Sequence, residues 1–275
     1  MAETWEEMLD EAAAALDESR HHDALQLCDR ASMLGDDARY HAAILRGDVL
    51  LDLGDPGGAL SSYETVADPD LDDPELDCAR GIALFELGRF AEAENALASA
   101  VRGDPELAEA YYALGLLAEL QGTGKEIEYF RRARRLDPDE YPAHLQLARE
   151  EFEATVEEAL TRMPGGIREA LTRLPVLIAE LPHPEDVRHA DPPLSPLALG
   201  MFVGSPPWAE GAVMEAPDSQ QPAMVLFKRN LERAATTREE LIDEIRRTIT
   251  HEIGHVLGYS EEEIEEQLRD GDGSC

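Results

Sequence analysis

The sequence predicts a mainly α chain in two parts: a solenoid of paired helices over residues 1–140, then a small α+β domain over 145–270, with a disordered tail at 271–275. Three features carry that prediction. Glycines recur at a period of 34 residues through the first half, which is the mark of a helix-pair repeat. After Pro138 the pattern breaks into short apolar runs bounded by proline and glycine, which read as strands and loops. Near the C-terminus an amphipathic stretch, opened by a capping box and closed by glycine, reads as a helix bordering the core.

In the first half Gly47, Gly81 and Gly115 are spaced by 34, and Gly54, Gly88 and Gly122 repeat that interval seven residues later. The first set lets a second helix pack close, and the second supplies the reversal within each pair. Ala59 and Ala93 keep the register, while Asp104-Pro105 and Asp137-Pro138 close repeats because proline cannot continue a helix. Residues 3–34 read as a degenerate first copy with Ala12, Ala24 and Ala31 near the small positions; 42–69, 77–105 and 108–138 are further copies.

These residues resemble the tetratricopeptide repeat. In the last copy Tyr111, Leu114, Gly115, Gly122, Phe130, Ala133 and Pro138 fall on the family's signature positions, although one residue is missing after Gly124. The resemblance implies three to four antiparallel helix pairs with a concave surface for a peptide or protein. The family's best known clamp, basic and Asn-lined for an acidic C-terminal peptide, is not expected: its positions carry Ile44, Asp48, Cys78, Ile82, Tyr112 and Leu116. Arg131, Arg132, Arg134 and Arg135 read as a solvated face of the last repeat helix.

Residues 141–163 read as one helix with Leu145, Leu147, Phe152, Val156 and Leu160 at its apolar positions, stopped by Pro164-Gly165-Gly166. A short helix at 167–172 and a strand at 176–180 follow, then a proline-rich loop; 199–203 and 223–228 supply the other strands.

Thr237-Arg238-Glu239-Glu240 is a capping box that starts the next helix. Leu241, Ile242, Ile245, Ile249, Ile253 and Val256 form its apolar stripe, with Glu244, Thr248, His251 and His255 alongside. His251-Glu252-Ile253-Gly254-His255 is the H-E-x-x-H pattern. Its i, i+4 spacing sets both imidazoles on one face, where two ring nitrogens can reach one Zn²⁺ at about 2.0–2.1 Å with Glu252 beside it as general base for water. Gly258 ends the helix, and Ser260-Glu261-Glu262-Glu263 is a second capping box. Glu261, six residues after His255, is the candidate third ligand, with Glu262 and Glu265 as competitors. Three such ligands leave a fourth position open, as in catalytic rather than structural zinc sites. The same set would also hold Fe²⁺ or Mn²⁺.

Over 149–268 the chain resembles the minimal zincin-like (minimal matrixin-like) metallopeptidase family. The matching residues are Glu150-Glu151-Phe152 with Val156-Glu157-Glu158-Ala159-Leu160, the apolar run of 174–180, Leu199-Gly200-Met201-Phe202, Val225-Leu226-Phe227-Lys228-Arg229 with Leu231-Glu232, and Thr237 through His255. The resemblance implies a compact zincin whose active helix lies near the C-terminus and a strand able to lie against an extended substrate. The family usually has Asp where this chain has Glu261, so ligation needs the longer side chain to fold back. No methionine follows Met224, so the methionine turn of the larger relatives is absent.

With 59 acidic against 24 basic residues the net charge is −35, which repels nucleic acid and anionic lipid and favours basic partners. Three scattered cysteines, Cys28, Cys78 and Cys275, make no disulfide framework or zinc-ligand pair. The acidic N-terminus has no signal-peptide pattern, and no membrane span is expected, so the expectation is a cytoplasmic protein. His21, His22, His41, His144, His183 and His189 read as surface or packing residues. The function expected is zinc-dependent peptide hydrolysis, with a peptide or protein substrate and a protein partner recruited by the repeat groove. The rival is a non-catalytic adaptor carrying a metal-binding but inactive zincin.

Overall fold

The computed structural model describes residues 4–67, 72–189, 194–204 and 222–272; Cys275, Pro69 and several prolines of the expected loops lie outside these. The chain forms two compact units, Met1–Pro142 with Pro184–Pro196, and Ala143–His183 with Leu197–Cys275.

Among the described residues the first unit holds four helical pairs: α1 (Trp5–Asp17) with α2 (His21–Ala31), α3 (Asp36–Asp52) with α4 (Pro56–Glu64), α5 (Pro74–Glu86) with α6 (Phe90–Gly103), and α7 (Ala108–Leu120) with α8 (Glu126–Leu136). Thr4 caps α1 through a capping box, while Asp55 and Asp73, each followed by proline, cap α4 and α5. Each of the later pairs closes on a glycine. A Cβ on Gly47 would lie 2.1 Å from the Tyr63 ring, one on Gly81 2.6 Å from Leu97, and one on Gly115 2.6 Å from the Phe130 ring. The partner stands one residue nearer in sequence at Phe130 than at the two earlier places, which is where the residue missing after Gly124 is absorbed. Gly54, Gly88 and Gly122 take φ of +73°, +69° and +64° at the turns, and the first turn uses Ser19 at +56°.

The same unit takes in α11 (Pro184–His189), a short helix where the sequence suggested only a proline-rich loop. Val187 is buried beside Gly88, Arg188 lies over the Phe90 ring at 5.0 Å, and Ser195 donates to the half-buried Glu86 at 2.7 Å.

In the second unit α9 (Arg149–Thr161) and α10 (Gly165–Leu171) precede strand β1 (Val176–Ala179), and β2 (Gly200–Val203) and β3 (Ala223–Phe227) complete the sheet. The strand order is β1-β3-β2, with β1 parallel and β2 antiparallel to β3. Helices α12 (Lys228–Arg233), α13 (Arg238–Leu257) and α14 (Glu261–Asp272) follow. Residues 271–272 thus continue α14 instead of opening the expected tail, whose remainder, 273–275, lies outside the described residues. The core is built from Phe152, Val156, Met163, Ile167, Met224, Leu226 and Leu231 against the buried face of α13.

The single helix expected over 141–163 is corrected: it starts only at Arg149. Residues 143–148 run without helix because their backbone has other partners. The Leu147 amide donates to Glu232 Oε1 at 2.7 Å, and the Ala148 amide to Glu151 at 3.1 Å. Glu232 Oε1 also takes the Lys228 ammonium at 2.7 Å, both side chains almost fully buried, with Lys228 Nζ over the Phe152 ring.

Removing Lys228 leaves the buried Glu232 carboxylate with only the longer contact to Arg229 at 3.5 Å, and removing Glu232 leaves the buried ammonium without its acceptor. Lys228→Met should therefore lower unfolding stability by about 3–5 kcal/mol. Lys228→Met/Glu232→Leu should recover only part of that, because the Leu147 amide then loses its acceptor. Denaturant unfolding checks both.

Candidate metal centre

Helix α13 is fixed at both ends and along one face. Thr237 Oγ1 accepts the Glu240 amide at 3.2 Å, and Glu240 accepts the Thr237 amide at 3.2 Å, closing the capping box. Leu241, Ile242, Ile245, Ile249 and Ile253 are fully buried, while Val256 is only half-buried. Gly258 adopts φ +83°, ψ +22°, a left-handed C-terminus that only glycine takes without strain.

With the apolar face turned inward, His251 and His255 stand on the neighbouring face with half-exposed side chains. Their rings lie 4.4 Å apart at 88°, and the two Nε2 atoms approach to 3.0 Å. Ser260 starts α14: its hydroxyl accepts the Glu263 amide at 3.3 Å, and Glu263 accepts the Ser260 amide at 2.8 Å. Glu261 then returns across Gly258, with Oε1 3.2 Å from His255 Nε2 and Oε2 3.8 Å from His251 Nδ1. One ligand atom from each of the three residues lies within 4.8 Å of the other two, and this is the one such group of metal-ligating side chains among the described residues. Glu265 pairs with Arg269 and Glu262 is exposed, so neither competitor joins the group.

Glu252 is half-buried beside the histidines. Burial holds its carboxyl above the usual range; His251, the backbone N–H of Phe202 and His255 each pull it down in part. The Phe202 contact ties the carboxylate to β2. That strand lies close to α13, since a Cβ on Gly200 would stand 2.9 Å from Thr248 Cγ2.

One determinant is invisible to motif reading. Gly254, an unspecified position of H-E-x-x-H, has no room for a side chain, because a Cβ there would fall 2.7 Å from Ile264 Cγ1. Ile264 is buried on α14 and seats the helix that carries Glu261. The one available signal is the apolar residue standing alone among the glutamates of that acidic helix.

The remaining histidines stand apart. His41 stacks on Trp5 at 5.5 Å, His21 bonds to Asp52 at 2.5 Å, and His189 lies 3.4 Å from Glu185.

Residues 171–269 match the zincin-like metallopeptidase family model, and residues 78–141 match the tetratricopeptide repeat. Curated proteins give no match. Similar solved structures include YrrB, described as a TPR protein with an unusual peptide-binding site, at 23% identity and TM-score 0.38, covering 46% of this chain and 66% of that one. MamA follows at 23% identity and TM-score 0.40, with coverage of 46% and 74%. PilF of Pseudomonas aeruginosa has 17% identity and TM-score 0.41, with coverage of 55% and 67%. The match spans less than two thirds of YrrB.

If Gly254 seats α14, Gly254→Val should push Ile264 outward and lower zinc affinity by about 10-fold or more, the size expected when support behind a ligand is lost. Zinc titration with a competing chelator reads this. Ser260→Ala, which removes the cap alone, should cost less.

Proposed function

We propose that the second unit is a zinc-dependent metallopeptidase, and that the repeat unit recruits its peptide or protein substrate or a protein partner in the cytoplasm. The observation that carries this reading is the convergence of His251, His255 and Glu261 within 4.8 Å. Two imidazoles and a carboxylate form a donor set suited to zinc. Ligands at about 2.0–2.1 Å in a tetrahedron stand about 3.3 Å apart, and the Nε2–Nε2 and Nε2–Oε1 separations are 3.0 and 3.2 Å. The zincin-like match over 171–269 supports the same assignment. Among the described residues no helix is long and apolar enough to cross a membrane.

A zinc ion held there supplies Lewis acidity toward a carbonyl and makes water a stronger acid. The chain does the rest. His251 and His255 act as neutral donors, and Glu261 brings the negative charge that favours a divalent cation over a proton. Glu252 takes a proton from water and returns it to the leaving amine. Its raised affinity for protons suits that exchange, and its tie to Phe202 keeps it next to β2. Among the described strands β2 pairs on one side only, which leaves a backbone edge for an extended peptide.

Turnover of a generic unfolded protein tests the reading. Wild type should cleave it, a chelator should abolish cleavage, and Glu252→Gln should keep bound zinc while losing activity by about 100-fold or more. Glu261→Gln should instead weaken zinc binding by about 10-fold or more, with Glu262→Gln near wild type. Zinc bound at full occupancy with no turnover under any condition would favour the adaptor.

A further inference from the structure

The first unit holds a cavity of about 660 Å³, within the range of functional pockets. Its walls mix apolar and acidic side chains, Leu51 and Ile82 with Asp17, Asp48, Asp52 and Glu109, and among the described residues no lysine or arginine lines it. The carboxylates come from the end of α1, from α3 and from the start of α7, so they face the space from several directions. Asp52 meets His21, whereas the partners of half-buried Asp48 and exposed Glu109 are neutral. Asp48 accepts from the Tyr63 hydroxyl at 2.7 Å, and Glu109 from the Cys78 thiol. Burial is the main reason that both carboxyls hold their protons more tightly than usual.

We propose that this cavity is a docking groove for an extended basic segment of a partner or substrate protein, whose lysine or arginine side chains reach Asp48 and Glu109 while its apolar groups rest on Leu51 and Ile82. The proposal rests on reading the repeat unit as a protein-binding module and adds the chemistry of what it binds. Charge complementarity selects the occupant. Asp48, partly withdrawn from water, is met by a hydroxyl and not by a counter-charge, and a cation entering the groove supplies one to it and to Glu109. A divalent ion does not fit the same walls, because these oxygens do not gather into a metal-ligating group. The spacing across several helices suits a chain carrying its charges at intervals.

Fluorescence anisotropy of the full chain, with chelator present to prevent cleavage, tests this against three labelled peptides of equal length in which leucine alternates with lysine, glutamine or glutamate. The lysine peptide should bind about 10-fold or more tighter than the glutamine peptide, less so as salt rises, and the glutamate peptide should not bind. Asp48→Asn/Glu109→Gln should weaken the lysine peptide about 10-fold. Glu94→Gln/Glu128→Gln, which removes equal charge from exposed positions on α6 and α8, should leave it within about twofold. If the first pair of substitutions unfolds the protein, Asp17→Asn/Asp52→Asn at the rim serves in its place. Equal weakening by the α6/α8 control would overturn the groove. Preference for the glutamine or glutamate peptide would overturn the cationic assignment and leave a binding module standing, whereas no binding of any peptide would count against both.

Discussion

Both units depend on close approach at residues that lack a Cβ. Gly47, Gly81 and Gly115 let Tyr63, Leu97 and Phe130 lie against the facing helix, and Gly200 and Gly254 do the same for Thr248 and Ile264. Each large side chain fills space against backbone, where dispersion contacts are dense and a single added methyl has nowhere to go. In the first unit the result is a stack of helical pairs. In the second it is the placement of β2 and α14 against α13, and with them the surroundings of His251, Glu252 and His255. The candidate metal centre is thus an outcome of packing before it is one of coordination.

Charge alone would not single out that centre. A chain with net charge −35 attracts cations everywhere, and its exposed carboxylates offer oxygen donors at many points. The His251–His255–Glu261 group differs by its two imidazoles, which favour transition metals over the hard cations that carboxylates attract. The groove of the first unit differs in another way. Its acids face a shared space beside apolar side chains, and Asp48 is partly withdrawn from water against the Tyr63 hydroxyl, so a positive charge reaching it meets less screening than it would at the outer surface.

Much of this was legible in the residues because it is governed by local rules. A 34-residue glycine interval, capping boxes at Thr237 and Ser260, and a left-handed glycine at 258 act over a few positions, and the helices begin and end where those residues say. Glu261 could be singled out because Gly258 and Ser260 set the register of the turn. What escaped reading depends on partners far along the chain. Residues 143–148 look helical by periodicity, yet Leu147 bonds to Glu232, 85 positions away. No pattern in the sequence pairs Val187 with Gly88, and although Lys228 and Glu232 stand at i, i+4 spacing, their burial is set by Phe152 and Leu147 from α9 and the segment before it. The role of Gly254 was hidden for a different reason: it sits inside a motif that specifies nothing at that position.

The membership of Pro184–Pro196 in the first unit bears on how the protein is made. Synthesis runs from the N-terminus, and early segments begin to fold while later ones are still being added. The four helical pairs can form in that order, but the surface around Gly88 and Phe90 receives Val187 and Arg188 only after α9, α10 and β1 have been translated. Completion of the first unit therefore waits on the birth of part of the second, and the nascent chain carries an unsealed apolar face through that interval.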